Sequence, residues 1–190
     1  MNIMTAFPDD GFQENVSHDE KGSRDGGIHR FIHPGEFFFC GSGSQIHTIL
    51  GSCIAITLWH PILRVGGMCH FILPGKSTSQ GGHQAGSEPK GRYSDDAMVL
   101  FEAEATSRGT DLREYQAKIF GGSNMLVNSQ QNYDDLIGTK NIKAAMALLA
   151  ERDIPLLASH VGKAGHQRII FVLETGDVWV KHQSLGKITI

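Results

Sequence analysis

A cysteine at the mouth of a tight turn, with a histidine seventeen residues downstream, is the spacing in this chain that carries the most chemistry. The stretch is LGSCIAITLWHPILRVGGMCHFILP, Leu50 to Pro74. It sets Cys53 behind Leu-Gly-Ser. An apolar run, a turn at His60-Pro61, a second apolar run and then Cys69-His70 follow. Three chemistries fit such a pattern: sulfur that simply fills a core, a metal site, or a nucleophile with its base.

Buried free cysteine behaves as a small hydrophobe, and Cys40 and Cys69 read that way, each inside an apolar run with no turn beside it. Cys53 differs in its flanks. Gly51-Ser52 is a turn where backbone can approach a substrate closely, because glycine has no side chain in the way. Successive N–H groups at such a turn can face a developing oxyanion. The thiolate is the reactive form of cysteine, and a neighbouring histidine is the usual means of forming it near neutral pH. His70 is the candidate partner: a hairpin around His60-Pro61 would lay its strand beside that of Cys53. Met68 and His70 then share one face, with Cys69 and Phe71 on the other. A zinc site would draw on Cys40, Cys53, Cys69, His70 and His47, but the chain has no close Cys pair of the usual structural kind. No G-x-S-x-G elbow supports a serine hydrolase. No metal and no cofactor is expected.

The elements that must position these groups follow from local patterning. Short β-branched and aromatic runs predict strands at Phe37 to Cys40, Gln45 to Leu50, Ile54 to Trp59 and Val65 to Leu73. Further strands are expected at Gln116 to Phe120, Leu156 to Ser159, Ile169 to Leu173 and Val178 to Lys181, with a hairpin turn at Glu174-Thr175-Gly176-Asp177. Ser94 is positioned to cap a helix carrying Asp95 and Asp96 in its first turn and Ala97, Met98, Phe101 and Ala105 on its buried face. A second helix, about Thr139 to Arg152, shows Ile142, Ala145, Met146 and Leu149 at i, i+3, i+4, i+7. Gly75 to Arg92 reads as a long polar loop, and Gly121-Gly122 as a turn pair. Strand hairpins with two helices, and no regular βαβ alternation, make an α+β fold.

Composition bounds the partners. A net charge of -3 with ten histidines argues against a nucleic-acid-binding surface, which carries a basic excess. No stretch approaches the roughly 20 apolar residues that span a bilayer, so no membrane insertion is expected. Three cysteines in no dense framework point to reduced thiols and a cytoplasmic location. Residues 1–27 are polar and Gly-rich and predict a disordered N-terminal tail. Residues 28–190 predict a single domain.

The segments LGSCIAITLWHP, RVGGMCHFILP, GRYSDDAM, KIFGGSNML, IGTKNIKAAMALLAERDIPLLASHVGK and ETGDVWV, in that order and spacing, resemble the chemoreceptor glutamine deamidase family CheD over roughly residues 28–181. The resemblance implies a layered fold of mixed β-sheets flanked by helices, shared with certain bacterial toxin deamidases. It also implies hydrolysis of glutamine side-chain amides on methyl-accepting chemoreceptors through a cysteine thioester, with Cys53 as nucleophile and His70 as base. The alternative is a non-catalytic module that binds chemoreceptors or a CheC-type phosphatase. The family's third member is a Thr or Ser six positions before the cysteine. Here His47 occupies that position and Thr48 follows it, so Thr48 is the candidate, with His47 as a rival partner for His70. The resemblance assigns no role to His160 or His166.

Overall fold

The computed structural model describes residues 2–5, 21–22, 27–75, 91–124 and 136–184. Most of the expected tail, and most of the polar loop between Gly75 and Arg92, lie outside the described residues. Of the first 27 residues, β1 (Ile3–Met4) and β2 (Lys21–Gly22) are described as short strands on sheet edges.

The chain builds two mixed sheets and two helices in three layers. One sheet runs β1–β11–β10–β5–β3–β2. It comprises β3 (Ile28–Phe31), β5 (Gln45–Leu50), β10 (His166–Val172) and β11 (Val178–Gln183) with the two short edge strands. The other runs β4–β7–β6–β8–β9, from β4 (Phe37–Cys40), β7 (Val65–Phe71), β6 (Ile54–His60), β8 (Gln116–Gly121) and β9 (Leu156–Val161). Helices α1 (Ser94–Ser107) and α2 (Ile137–Ala150) cover the outer face of this second sheet. The architecture is the expected α+β layering.

Two cores follow from period-2 alternation along the same strands. Ile54, Ile56, Leu58, Cys69, Phe71, Ala117 and Ile119 face the helices and pack on Phe101, Ala105, Ala145 and Leu149. Ala55, Trp59, Met68 and Phe120 point the other way and meet Ile46, Leu50, Ile169, Phe171, Val178 and Val180 of the first sheet. Strand β6 is therefore buried on both faces over its whole length, and its sequence is almost continuously apolar for that reason. The β6–β7 hairpin turns at His60–Val65, and β10–β11 turns at Glu174–Asp177, both where the sequence places them. The strand Ile28–Phe31 was not foreseen. Its four residues are too short a run to show alternation.

Both helices depart from expectation in detail. Ser94 is the first helical residue, behind Tyr93, and does not cap the helix. Its hydroxyl instead accepts a hydrogen bond from the Gly75 N–H (3.0 Å), closing the base of the polar loop. In α2 the buried residues are Gly138, Thr139, Asn141, Ala145, Leu148 and Leu149. Met146, expected in the stripe, is 41% exposed. The apolar periodicity misleads because the buried face is small and polar at its N-terminal end, where α2 presses on the loop after β8.

That contact is tight. A Cβ at Gly138 would lie 2.5 Å from the Gly122 carbonyl oxygen and 2.7 Å from Asn124 Oδ1. Gly138→Ala gains about 1 kcal/mol of helix propensity, but backbone cannot yield as a side chain can. The expected outcome is a net loss of about 1–3 kcal/mol in urea unfolding. Equal or greater stability in the variant would contradict the close approach.

Candidate active site

His70 sits near the end of β7 with its backbone tied to the turn before β4. Its N–H donates to the Glu36 carbonyl (2.9 Å), and its carbonyl accepts from the Gly35 N–H (2.7 Å). Alternation turns its ring into the layer between the sheets, beside Met68 and opposite Ala55 on β6. On the facing sheet, Ile46, Thr48 and Leu50 point into the same layer, while His47 and Ile49 point outward. Thr48 Oγ1 lies 2.8 Å from His70 Nδ1 and 2.8 Å from the Ile32 carbonyl oxygen.

This pair of contacts assigns the proton on the ring. A threonine hydroxyl has one hydrogen, and the Ile32 carbonyl can only accept, so Thr48 donates to Ile32. Its oxygen must then accept from His70 Nδ1–H. The imidazole is held as the Nδ1–H tautomer, and Nε2 carries the free lone pair. Nε2 is buried and has no hydrogen-bond partner among the described residues. Burial, with a smaller contribution from His33, lowers the His70 pKa to about 4, so the ring is neutral near pH 7.

The register settles which neighbour reaches the histidine. Strand β5 pairs with β10 without a break from Gln45 to Leu50, so no bulge intervenes and positions 47 and 48 face opposite ways. His47 lies on the outer face, its ring 6.0 Å from that of His29. Thr48 meets His70, and the position six before the cysteine does not.

Cys53 precedes the first residue of β6 and packs at the edge of the inter-sheet core. It stands two residues before Ala55, which is directly opposite His70. Regular antiparallel geometry spaces such diagonal neighbours roughly 7 Å apart, within reach of side chains. Cys53 is partly exposed, whereas Cys40 and Cys69 are buried. Burial raises the Cys53 pKa, opposed by its own backbone N–H. Burial pushes Cys40 up to about 11 and Cys69 up to about 12. Cys69 faces the helices and is thus on the opposite side of β7 from His70. Among the described residues no three His, Cys, Asp or Glu side chains come together as a metal site.

The loop carrying Cys53 is held at three successive carbonyls. Ser123 N–H donates to Gly51 (2.8 Å), Asn141 Nδ2 to Ser52 (3.0 Å), and Gly122 N–H to Cys53 (2.8 Å). Gly122 has φ +65°, and a Cβ there would meet Ile142 at 2.5 Å. The glycine pair therefore lets the loop after β8 pack against α2 while its N–H groups grip the cysteine turn. Asn141 was not foreseen, since a lone asparagine in a helix has no chemical signature. The available signal was its place in the I-G-x-x-N segment, Ile137 to Asn141, of the family resemblance. His166 lies beside Gly51, and His160 is bonded to Gln167 and Lys163 (both 3.0 Å).

Comparison with known proteins finds relatives over most of the chain. The family model described as CheD chemotactic sensory transduction matches residues 72–182. A probable chemoreceptor glutamine deamidase CheD of Pseudomonas savastanoi pv. phaseolicola is 42% identical over 156 residues, covering 82% of this chain and 85% of the relative. The chain belongs to the CheD family. A CheD homologue from Dechloromonas aromatica is 41% identical over 79% of the chain and 85% of its own length. One from Leptospira interrogans is 32% identical over 81% and 92%. A match as long as the first necessarily spans Thr48, Cys53 and His70. The CheD model itself covers the loop after β8 and α2, which grip the cysteine turn, and the strands that follow. No helix among the described residues is long and apolar enough to cross a membrane.

Two outcomes follow from the histidine environment. Nitrogen-15 NMR of His70 should show protonated Nδ1 and unprotonated Nε2 at pH 7, and no titration down to pH 5. An Nε2–H signature would contradict the Thr48 assignment. His47, lowered to about 4 chiefly by burial, behaves similarly for stability. In the unfolded chain both rings protonate near 6.5, so between about 6.5 and 4 the unfolded state takes up protons that the fold excludes. Stability should thus fall as pH drops through that window, by up to about 3 kcal/mol per histidine. Urea unfolding at pH 7 and 4.5 measures it. A His70→Gln variant should lose less, and an equal loss would refute the contribution.

Proposed function

We propose that this protein is a cytoplasmic chemoreceptor glutamine deamidase whose catalytic domain spans residues 28–190. Cys53 is its nucleophile, His70 its general base and acid, and Thr48 the residue that orients His70. The observation that carries the reading is the Thr48–His70 hydrogen bond (2.8 Å). It leaves a lone pair on Nε2 of a histidine neighbouring the one partly exposed cysteine among three.

The thiol and the imidazole are both held neutral by burial, so proton transfer accompanies attack and does not precede it. The Cys53 sulfur attacks the side-chain carbonyl carbon of a receptor glutamine while its proton passes to His70 Nε2. The carbonyl π electrons move to oxygen, and the N–H groups of Ser52 and Cys53 receive the oxyanion. As the tetrahedral intermediate collapses, the C–N bond breaks. His70 returns the proton to the nitrogen, and ammonia departs. A water molecule then gives a proton to His70 Nε2 and attacks the thioester. The C–S bond breaks, the sulfur recovers the proton, and glutamate is released. Throughout, the imidazolium is stabilised by Thr48 Oγ1, which continues to accept from Nδ1–H.

The test is mass spectrometry of a purified chemoreceptor cytoplasmic domain incubated with the protein. Wild type should convert selected glutamines to glutamate, a gain of one mass unit each, and Cys53→Ala should convert none. His70→Ala should lower the rate about 10²–10⁴-fold, and Thr48→Val about 10–100-fold through the lost orientation. Conversion by Cys53→Ala would remove the nucleophile assignment. Binding without conversion by the wild type would favour the alternative role, a module that engages receptors or a CheC-type phosphatase.

A further inference from the structure

We propose that Asn141 is a positioning residue for the reaction, one amide that fixes the turn bearing the nucleophile against the end of the strand that bears the base, just beyond the last pair of the β6–β7 ladder. The inference rests on the roles of Cys53 and His70 proposed above. The β6–β7 ladder ends at the pair Ile54–Phe71. One step further, the two chains carry Cys53 and Ile72, and it is here that Asn141 reaches in from α2. Its Nδ2 donates to the Ser52 carbonyl (3.0 Å) and to the Ile72 carbonyl (2.8 Å). Ser52 immediately precedes the nucleophile, and Ile72 lies two residues beyond the base. A single NH₂ group uses both hydrogens to bridge them, continuing the ladder where the strands no longer pair directly.

The burial of Asn141 argues that this bridge is specific. The residue is wholly inaccessible, and its Oδ1 has no hydrogen-bond partner among the described residues. A buried amide with half its polar capacity unmet is costly to keep, and an apolar residue of similar size would pack on the helix-side core without that cost. The two donors are what an apolar residue cannot supply. The neighbouring grips on Gly51 and Cys53 come from backbone N–H groups. Asn141 is thus the side chain among the three that substitution can remove. Its loss leaves the cysteine turn held by the loop after β8 and by the Ile54–Phe71 pair, but without the bridge from Ser52 to Ile72.

The expected signature separates positioning from folding. Asn141→Ala should lower kcat for receptor glutamine conversion about 10–100-fold, with KM changed less than about threefold, because the reacting groups are displaced while the receptor surface is intact. It should also slow iodoacetamide alkylation of Cys53 toward the rate of His70→Ala. Leu148→Ala, on the same buried face of α2 but away from the turn, serves as a control of comparable destabilisation and should leave both rates within about twofold of wild type. If Asn141→Ala does not fold, Asn141→Ser, which keeps a single donor, should give an intermediate rate. Wild-type alkylation in a folded Asn141 variant, or equal slowing in Leu148→Ala, overturns the proposal. If wild type converts no receptor glutamine, the deamidase reading fails. The alkylation rates then still decide whether Asn141 couples Cys53 to His70.

Discussion

A chain of two hydrogen bonds across the space between the sheets organises the site: His70 Nδ1–H to Thr48 Oγ1, and Thr48 O–H to the Ile32 carbonyl. Each partner comes from a different strand or connection, and the ring belongs to one sheet while both its supports belong to the other. Polar groups this deep destabilise a core unless they are paired. The chain pairs them in the only sense that the hydrogens allow, and so decides at once how the sheets stack locally and which nitrogen is free. The geometry that satisfies Nδ1 is the geometry that leaves the Nε2 lone pair free.

A second set of constraints places Cys53, the proposed nucleophile, relative to His70. The turn bearing Cys53 is gripped on the helix side by Ser123, Asn141 and Gly122, and those donors stand where they do because two glycines let α2 and the loop after β8 touch backbone to backbone. The helix layer, remote from His70, therefore holds the turn that carries Cys53. The site is assembled from three layers. Cys53 is at the rim, the His70 imidazole lies inside the sandwich, and besides the β6–β7 ladder the turn is held from the far side of the second sheet.

Other polar groups tie the layers together in the same manner. Lys118, on the inter-sheet face of β8, donates to the carbonyls of Asn2 (2.8 Å) and Gly176 (3.1 Å). Its burial lowers its pKa to about 8, and Asp177 opposes the shift. Trp59 Nε1–H donates to the Leu173 carbonyl (2.8 Å), bridging β6 to the hairpin of the first sheet. An apolar interface alone could slide. Directional bonds at several points fix the stacking, which the positioning of Thr48 against His70 requires.

The sequence by itself determined the local framework: the β6–β7 hairpin, the turn before Cys53, the β10–β11 hairpin, and the alternation that separates His70 from Cys69. These depend on neighbours within a few residues, where periodicity and turn chemistry operate. The family resemblance narrowed the chemistry but pointed to position 47 for the third residue. Thr48 was the candidate beside it, and only the tertiary structure showed that Thr48, and not His47, faces His70, because facing direction depends on which strand of another sheet lies opposite. Asn141 belongs to the same category. Its partners are 89 and 69 residues away in the chain, and no local pattern marks a helical asparagine as a donor to two distant carbonyls. The neutral state of the ring was likewise out of reach, since it comes from water excluded by both sheets together and not from any residue beside His70.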